Sequence, residues 1–165
     1  MVVHKTSGAC FLTKLFYGTG GCVSSAAASS AEEMENPMRE PEPDTLMFFS
    51  GHDDALGLYE ALEQALYEAF PDTNKRVQKT QITFYHRHVF ACVSFARVKR
   101  KAELPSPYLV LTLGLPYPLQ SGRVAVKTEP YPGRWTTHIV IGSPEEIDGE
   151  LLSWVREAYA FSERK

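Results

Sequence analysis

The fold of this chain is decided by a nearly continuous apolar run, Val89-Phe90-Ala91-Cys92-Val93-Ser94-Phe95-Ala96-Arg97. Such a run is typical of a strand that is covered on both faces, because a half-exposed strand alternates apolar with polar residues. We therefore predict that it forms a central strand of a sheet. Cys92 lies inside the run and is expected to be a buried thiol of the core.

Further strand patterns lie on both sides of this run. They mark four segments: Val77 to Tyr85, Tyr108 to Leu113, Val124 to Thr128 and Thr136 to Ile141. Glycine and proline punctuate their ends. The connections are short or of medium length and contain no helix pattern, so the five strands are predicted to form an antiparallel meander.

An amphipathic helix is predicted before the strands. Apolar residues recur there at helical spacing along one face: Ala55, Tyr59, Leu62, Leu66 and Phe70. Asp53-Asp54 is expected to cap the start of this helix. Pro71 ends it, because proline disfavours the α conformation of the residue before it.

The closing helix has the clearest start signal in the chain. Ser143-Pro144-Glu145-Glu146 predicts a capping box with Ser143 as the N-cap. One face then carries apolar residues at helical spacing: Ile147, Leu151, Trp154, Ala158 and Phe161. The predicted fold class is α+β in the order α-β-β-β-β-β-α, with a five-stranded, mostly antiparallel sheet and both helices packed on one face.

The first 44 residues lack these patterns. Residues 1–31 hold Lys5 and Lys14 but no acid, whereas residues 32–44 hold six acids, one arginine and three prolines. Proline disfavours helix and strand, and excess charge opposes collapse. We predict that residues 1–44 are a disordered extension with an acidic, proline-rich linker, and that residues 45–165 form a single α+β domain.

The cysteine content and the lengths of the apolar runs predict the cellular location. The 165 residues carry a formal net charge of −3 and three cysteines, Cys10, Cys22 and Cys92, without a CxxC motif. Widely spaced thiols of this kind are typical of a reducing compartment, so a cytoplasmic location is expected. No apolar run reaches about 18 residues, which predicts that no segment spans a membrane.

Several strings in the predicted domain resemble a bacterial family. They are Val77-Gln78-Lys79-Thr80-Gln81-Ile82-Thr83-Phe84, Val89-Phe90-Ala91, Arg134-Trp135-Thr136-Thr137-His138, and the ending from Ile147-Asp148-Gly149-Glu150-Leu151-Leu152 to Glu157-Ala158-Tyr159. Together, over about residues 48–161, they are similar to the domain of unknown function numbered five-six-five-five. The resemblance implies a compact α+β domain, found alone or joined to other modules. It implies no activity.

Positive charge is concentrated in one part of the predicted domain. Between Thr73 and Ala102 there are eight bases and no acid. One of the eight is Lys79, and the other seven are named here the basic band: Lys75, Arg76, Arg87, Arg97, Lys99, Arg100 and Lys101. This distribution predicts a surface for an anionic partner, either nucleic acid or a phosphorylated ligand. The alternative interpretation is that these bases only keep the strands soluble.

A second candidate surface is the sheet face turned away from the helices. If Ile82 and Phe84 point into the core, strand alternation turns their polar neighbours the other way. Bases and aromatic residues at strand ends or in turns are added, because binding groups are frequent there. The candidate ligand-binding residues are Lys79, Gln81, Tyr85, Arg123, Arg134, Trp135 and His138. They suit a carboxylate or phosphate, although an ordinary solvated face has a similar composition.

No motif identifies a catalytic site. The chain contains no GxSxG, HExxH, P-loop or GxGxxG sequence, and we predict no catalytic residue, metal site or cofactor. The leading prediction is a binding or accessory domain with an anionic partner. One alternative is a small hydrolase or transferase that uses His138 with Lys79 or Tyr85. Another is a structural module that associates through its exposed sheet face.

Overall fold

The computed structural model describes residues 42–164. This part of the chain contains three α-helices: α1 (Pro43–Phe48), α2 (Leu56–Ala69) and α3 (Gly149–Glu163). Its strands are β1 (Asn74–Val77), β2 (Gln81–Tyr85), β3 (Val89–Ser94), β4 (Leu109–Leu115), β5 (Val124–Tyr131) and β6 (Arg134–Ile141). The predicted α+β class is confirmed. None of the helices within this range is long and apolar enough to cross a membrane.

The sheet within residues 42–164 has six strands rather than the predicted five, and every pairing is antiparallel. The segment predicted as one strand from Val77 to Tyr85 is divided by a tight turn. The backbone N–H of Gln78 donates to the carbonyl of Gln81 at 2.9 Å, which reverses the chain. The chain before this turn forms β1, an edge strand whose sequence, Asn-Lys-Arg-Val, lacks the apolar alternation that predicts a strand.

The predicted meander is wrong at the second half of the sheet. The strand order is β1-β2-β3-β4-β6-β5, so β6 lies between β4 and β5. This order matches the difference in apolar character and burial between β5 and β6. On β6, Ile139 and Ile141 are fully buried, whereas most of β5 is exposed. The more apolar strand therefore takes the interior position and the more polar strand takes the edge.

The apolar face predicted for α2 is confirmed. Its residues, Ala55, Tyr59, Leu62, Leu66 and Phe70, are all buried, and the helix ends just before Phe70. The predicted Asp53-Asp54 cap is wrong, because these two residues lie inside a short 3-10 turn that leads into the helix. No side-chain hydrogen bond from a described residue caps either the turn or the helix.

The start of α3 differs from the predicted capping box. Ser143 precedes a separate 3-10 turn, and the helix begins six residues later at Gly149. Its N-cap is Asp148, whose carboxylate accepts a hydrogen bond from the N–H of Leu151 at 2.9 Å. The carboxylate of Glu146 accepts from the N–H of Gly142 instead. A second capping signal, Asp148-Gly149, therefore prevails over the first.

One core joins the helices to the sheet. Helix α3 packs on β3 and β4 through Leu151, Trp154, Val155 and Ala158. The buried side chains of α2 belong to the same core, together with Ile82 and Phe84 of β2 and the leucines of β4. Of the predicted extension, residues 1–41 lie outside the described residues. Its last two residues, Pro43 and Asp44, form the first turn of α1, a position that proline favours.

Candidate functional site

The sheet face opposite α3 carries a polar row. Strand register aligns Thr83, Cys92, Thr112 and His138 across β2, β3, β4 and β6. Thr112 Oγ1 and His138 Nδ1 are hydrogen-bonded at 2.9 Å. Burial raises the pKa of the Cys92 thiol, which keeps it protonated and unreactive at neutral pH. The row is therefore a hydrogen-bonded surface without an activated nucleophile.

This register separates His138 from the residues proposed to act with it in a catalytic alternative. Three strand spacings, about 14 Å, lie between β2 and β6. Tyr85 lies farther along β2 than Thr83, the residue that shares a row with His138, and its ring is 5.5 Å from the Arg76 guanidinium. Lys79 lies beyond the opposite end of β2. A proton relay from His138 to either residue needs a contact that this distance prevents.

His138 is expected to make the stability of the domain depend on pH. Burial lowers the pKa of its imidazole, so the unfolded chain binds a proton at a pH where the folded chain does not. The contribution of this group to stability is full above about pH 6.5 and declines as the pH falls toward the native pKa. Urea unfolding at about pH 7.5 and about pH 5.5 tests this. His138→Gln should lose less stability than the unaltered protein over that interval, and an equal loss contradicts the assignment.

One end of the sheet, called here the Lys79 end, combines the β1–β2 turn with the long connection between β3 and β4. A small cleft of about 270 Å³ there is bordered by Lys99, Glu103, Pro105 and Val140, so the connection folds against the end of β6. Gly142 permits this approach, since a Cβ at that position would lie 2.6 Å from Cγ of Pro105.

Arg123 borders this small cleft but is already engaged. Its guanidinium donates to the Asp148 carboxylate at 2.9 Å, to Glu150 at 3.3 Å and to the carbonyl of Glu146. It also lies 5.5 Å from the ring of Trp154. These contacts connect the loop before α3 to the first turns of the helix, so the role of Arg123 is structural. Two other candidate residues, Arg134 and Trp135, lie at the opposite end of the sheet.

A larger cleft of about 530 Å³ opens at the Lys79 end and brings two predicted ligand-binding residues together. Lys79 and Gln81 form part of its lining, with Phe48, His52, Thr80, Ser94, Phe95 and Ala96. Gln81 and Ser94 are direct cross-strand partners on β2 and β3. Lys79 is exposed and makes no ion pair with any residue in 42–164. We call this surface the Lys79 cleft.

The aromatic wall of the Lys79 cleft was not predicted from the sequence. Phe95 lies stacked with Phe48, with ring centroids 5.4 Å apart, and with His52 at 4.0 Å. Phe48 is the last residue of α1, His52 lies in the turn after it, and Phe95 directly follows β3. Because Phe95 is far in the sequence from Phe48 and His52, no local pattern predicts that it meets them.

The residues of the predicted basic band do not form one surface, because some make ion pairs and lie apart from the others. Lys75 Nζ lies 2.8 Å from Glu63 and 3.6 Å from Glu42, so its charge is already neutralised. Arg87 lies near Glu163 at the far end of the sheet, at 3.9 Å. The remaining bases of the β3–β4 connection make no ion pair with a described residue: Arg97, Lys99, Arg100 and Lys101. Apart from Arg76, whose guanidinium lies over the Tyr85 ring, the members of the basic band without an ion pair to a described residue therefore lie at the Lys79 end.

Comparison with known proteins agrees with the resemblance seen in the sequence. The family model described as Domain of unknown function (DUF5655) matches residues 47–162, a range that includes the whole sheet, α2 and nearly all of α3. No curated protein and no solved structure matches the chain. Since the family match covers well over half of the chain, the protein belongs to the family of the domain of unknown function DUF5655.

Proposed function

We propose that this domain is a binding module that holds an anionic ligand in the Lys79 cleft. The observation that carries the proposal is the ammonium group of Lys79, which borders an open cleft without an acid partner among residues 42–164. A cation in such a cleft attracts an anion, because no internal carboxylate neutralises it. The hydroxyl groups of Thr80 and Ser94 supply hydrogen bonds to such an anion, whereas the Gln81 amide N–H group already donates to Gln78 and Thr83.

The ligand chemistry that fits best is a phosphate or a carboxylate. Lysine binds such a group as a compact point charge, and neutral donors beside it hold the remaining oxygens. Arg97 directly follows the cleft residue Ala96 and adds positive potential at the rim. A cleft of about 530 Å³ lies in the size range of small-molecule sites, about 300–1,000 Å³. A small phosphorylated ligand is therefore the preferred partner.

Nucleic acid bound by the β3–β4 connection is the second candidate. It is supported by the unpaired side chains of Lys99, Arg100 and Lys101. It is weakened by the ion pairs of Lys75 and Arg87, which remove two members of the basic band. The catalytic alternative has no geometric support, given the separation of His138 from Lys79 and Tyr85.

Lys79→Gln is expected to weaken the binding of ribose 5-phosphate by about tenfold or more. A hydrogen bond to a charged group contributes about 1.5–3 kcal/mol, and each 1.4 kcal/mol is about tenfold in affinity. Isothermal titration calorimetry measures the change. The matched control is Arg156→Gln, which removes an exposed base from the outer side of α3 and should leave the affinity unaltered.

A triple variant separates the two candidate surfaces. In this variant Lys99, Arg100 and Lys101 are all replaced by glutamate. Its affinity for ribose 5-phosphate should change by no more than a few fold, because none of the three residues lines the Lys79 cleft and solvent screens their charges. If this variant abolishes binding while Lys79→Gln does not change it, the ligand is held by the connection. That result contradicts the proposed cleft and favours the nucleic-acid candidate, whose affinity should fall steeply with salt.

A further inference from the structure

The Lys79 cleft contains an exposed ring that is already stacked. The imidazole of His52 lies 4.0 Å from the ring of Phe95, with an angle of 16° between the two planes. His52 is nevertheless exposed. Since Phe95 covers one face of the imidazole, the accessible area consists of the opposite face and the ring edge. A flat group that enters the cleft therefore meets an aromatic surface.

The ring beneath His52 is held firmly by the core. Phe95 packs edge-on against Phe49 at 5.4 Å, and Phe49 is 1% exposed. Phe48 stacks on Phe95, and Tyr108 packs against it edge-on at 6.2 Å. The Tyr108 hydroxyl also makes a long contact with the Phe95 carbonyl, at 3.5 Å. A platform held in this way stacks a ligand at little cost in side-chain entropy.

We infer that His52 and Phe95 form a stacking platform for a nucleobase, and that the ligand of the Lys79 cleft is a nucleobase-bearing phosphate. This inference rests on the proposed function of the cleft and specifies its ligand. The base lies on the open face of His52, and the phosphate is directed toward Lys79. Every nucleobase has a π-face that stacks on an aromatic side chain, so the platform selects for a flat ring without selecting one base.

Such a ligand has two sources, a free nucleotide or a nucleotide within a single strand. Calorimetric titration with four probes distinguishes them: adenosine 5′-monophosphate, adenosine, ribose 5-phosphate and a short oligothymidylate. We expect adenosine 5′-monophosphate to bind at least about tenfold more tightly than either of its two halves, because stacking and charge contribute together. Tighter binding of the oligothymidylate than of the mononucleotide identifies a single strand as the source, and the reverse order identifies a free nucleotide.

Substitution of the platform gives the sharper test. His52→Ala should weaken nucleotide binding by about tenfold. His52→Phe keeps a flat aromatic ring, so its affinity for the nucleotide should remain close to that of the unaltered protein. Both changes affect an exposed side chain, so neither is expected to unfold the domain. His88→Ala is the matched control, because His88 is an exposed histidine at the opposite end of the sheet.

The outcomes separate this inference from the proposed function. If ribose 5-phosphate binds as tightly as the nucleotide and His52→Ala changes nothing, the stacking platform is overturned and anion binding stands. If adenosine binds as tightly as the nucleotide and Lys79→Gln changes nothing, anion binding is overturned and the platform stands. Absence of binding by all four probes overturns both.

Discussion

Trp154→Ala is expected to lower the free energy of unfolding by about 3–5 kcal/mol, the usual cost of truncating a large aromatic side chain in a core. Trp154 is 7% exposed and belongs to the face of α3 that packs on the sheet. Removing its ring leaves a cavity that the surrounding strands cannot close. It also removes the surface on which the Arg123 guanidinium rests, 5.5 Å from the ring.

Urea unfolding followed by far-ultraviolet circular dichroism measures this loss independently of tryptophan fluorescence, which the substitution alters. Arg156→Ala is the control on the same helix. Its side chain is exposed, and the change should stay within about 0.5 kcal/mol. A loss below about 1 kcal/mol for Trp154→Ala contradicts the assignment of Trp154 to the core, since that is the scale of a surface substitution.

Glu63→Ala is expected to lower the free energy of unfolding by about 2–3 kcal/mol, because it leaves the buried Tyr59 hydroxyl without an acceptor and Lys75 with only the more distant Glu42, at 3.6 Å. The Glu63 carboxylate accepts from the hydroxyl of Tyr59 at 3.2 Å and lies 2.8 Å from Lys75 Nζ. The Lys75 side chain is only 11% exposed, so its charge is poorly solvated once the nearer of its two acid partners is lost. Burial also raises the pKa of Tyr59, which keeps the phenol protonated as the donor.

A double variant tests whether the loss comes from the unpaired charge. Glu63→Leu combined with Lys75→Met replaces both partners by apolar groups and should recover most of the stability lost in Glu63→Ala. Glu60→Ala is the control, since Glu60 is an exposed acid one turn earlier in α2. Equal losses in the double variant and in Glu63→Ala contradict the explanation by unpaired charge.

Periodicity predicted the elements that have one apolar face, and it failed where pairing depends on distant residues. The face of α2 was predictable because each of its residues lies one turn from the next. Strand β1 was not, because Asn74–Val77 is polar and the turn after it, Gln78-Lys79-Thr80, contains no glycine, proline or asparagine. The interior position of β6 depends on competition between β5 and β6 for β4, which no local pattern expresses.

The candidate site was predictable to the same extent. Lys79 and Gln81 were selected from the sequence because they are polar residues beside an alternating strand. The aromatic wall was missed, since His52 and Phe95 meet only after α2 and three strands have folded. Lys75 was placed in the basic band because its acid partner, Glu63, lies in another element. Charge counted along the chain does not show which charges are already paired.

The interior position of β6 has a consequence for synthesis on the ribosome. Until residues 134–141 leave the exit tunnel, β4 has β3 on one side and a free edge on the other. Leu109, Leu111 and Leu113 of β4, all 0% exposed in the finished domain, then lack α3 as well. An unpaired apolar strand edge is a template for aggregation. The nascent chain therefore depends on β6 and α3 to cover this edge and this apolar face, and a product that ends before β6 is expected to require a chaperone or a protease.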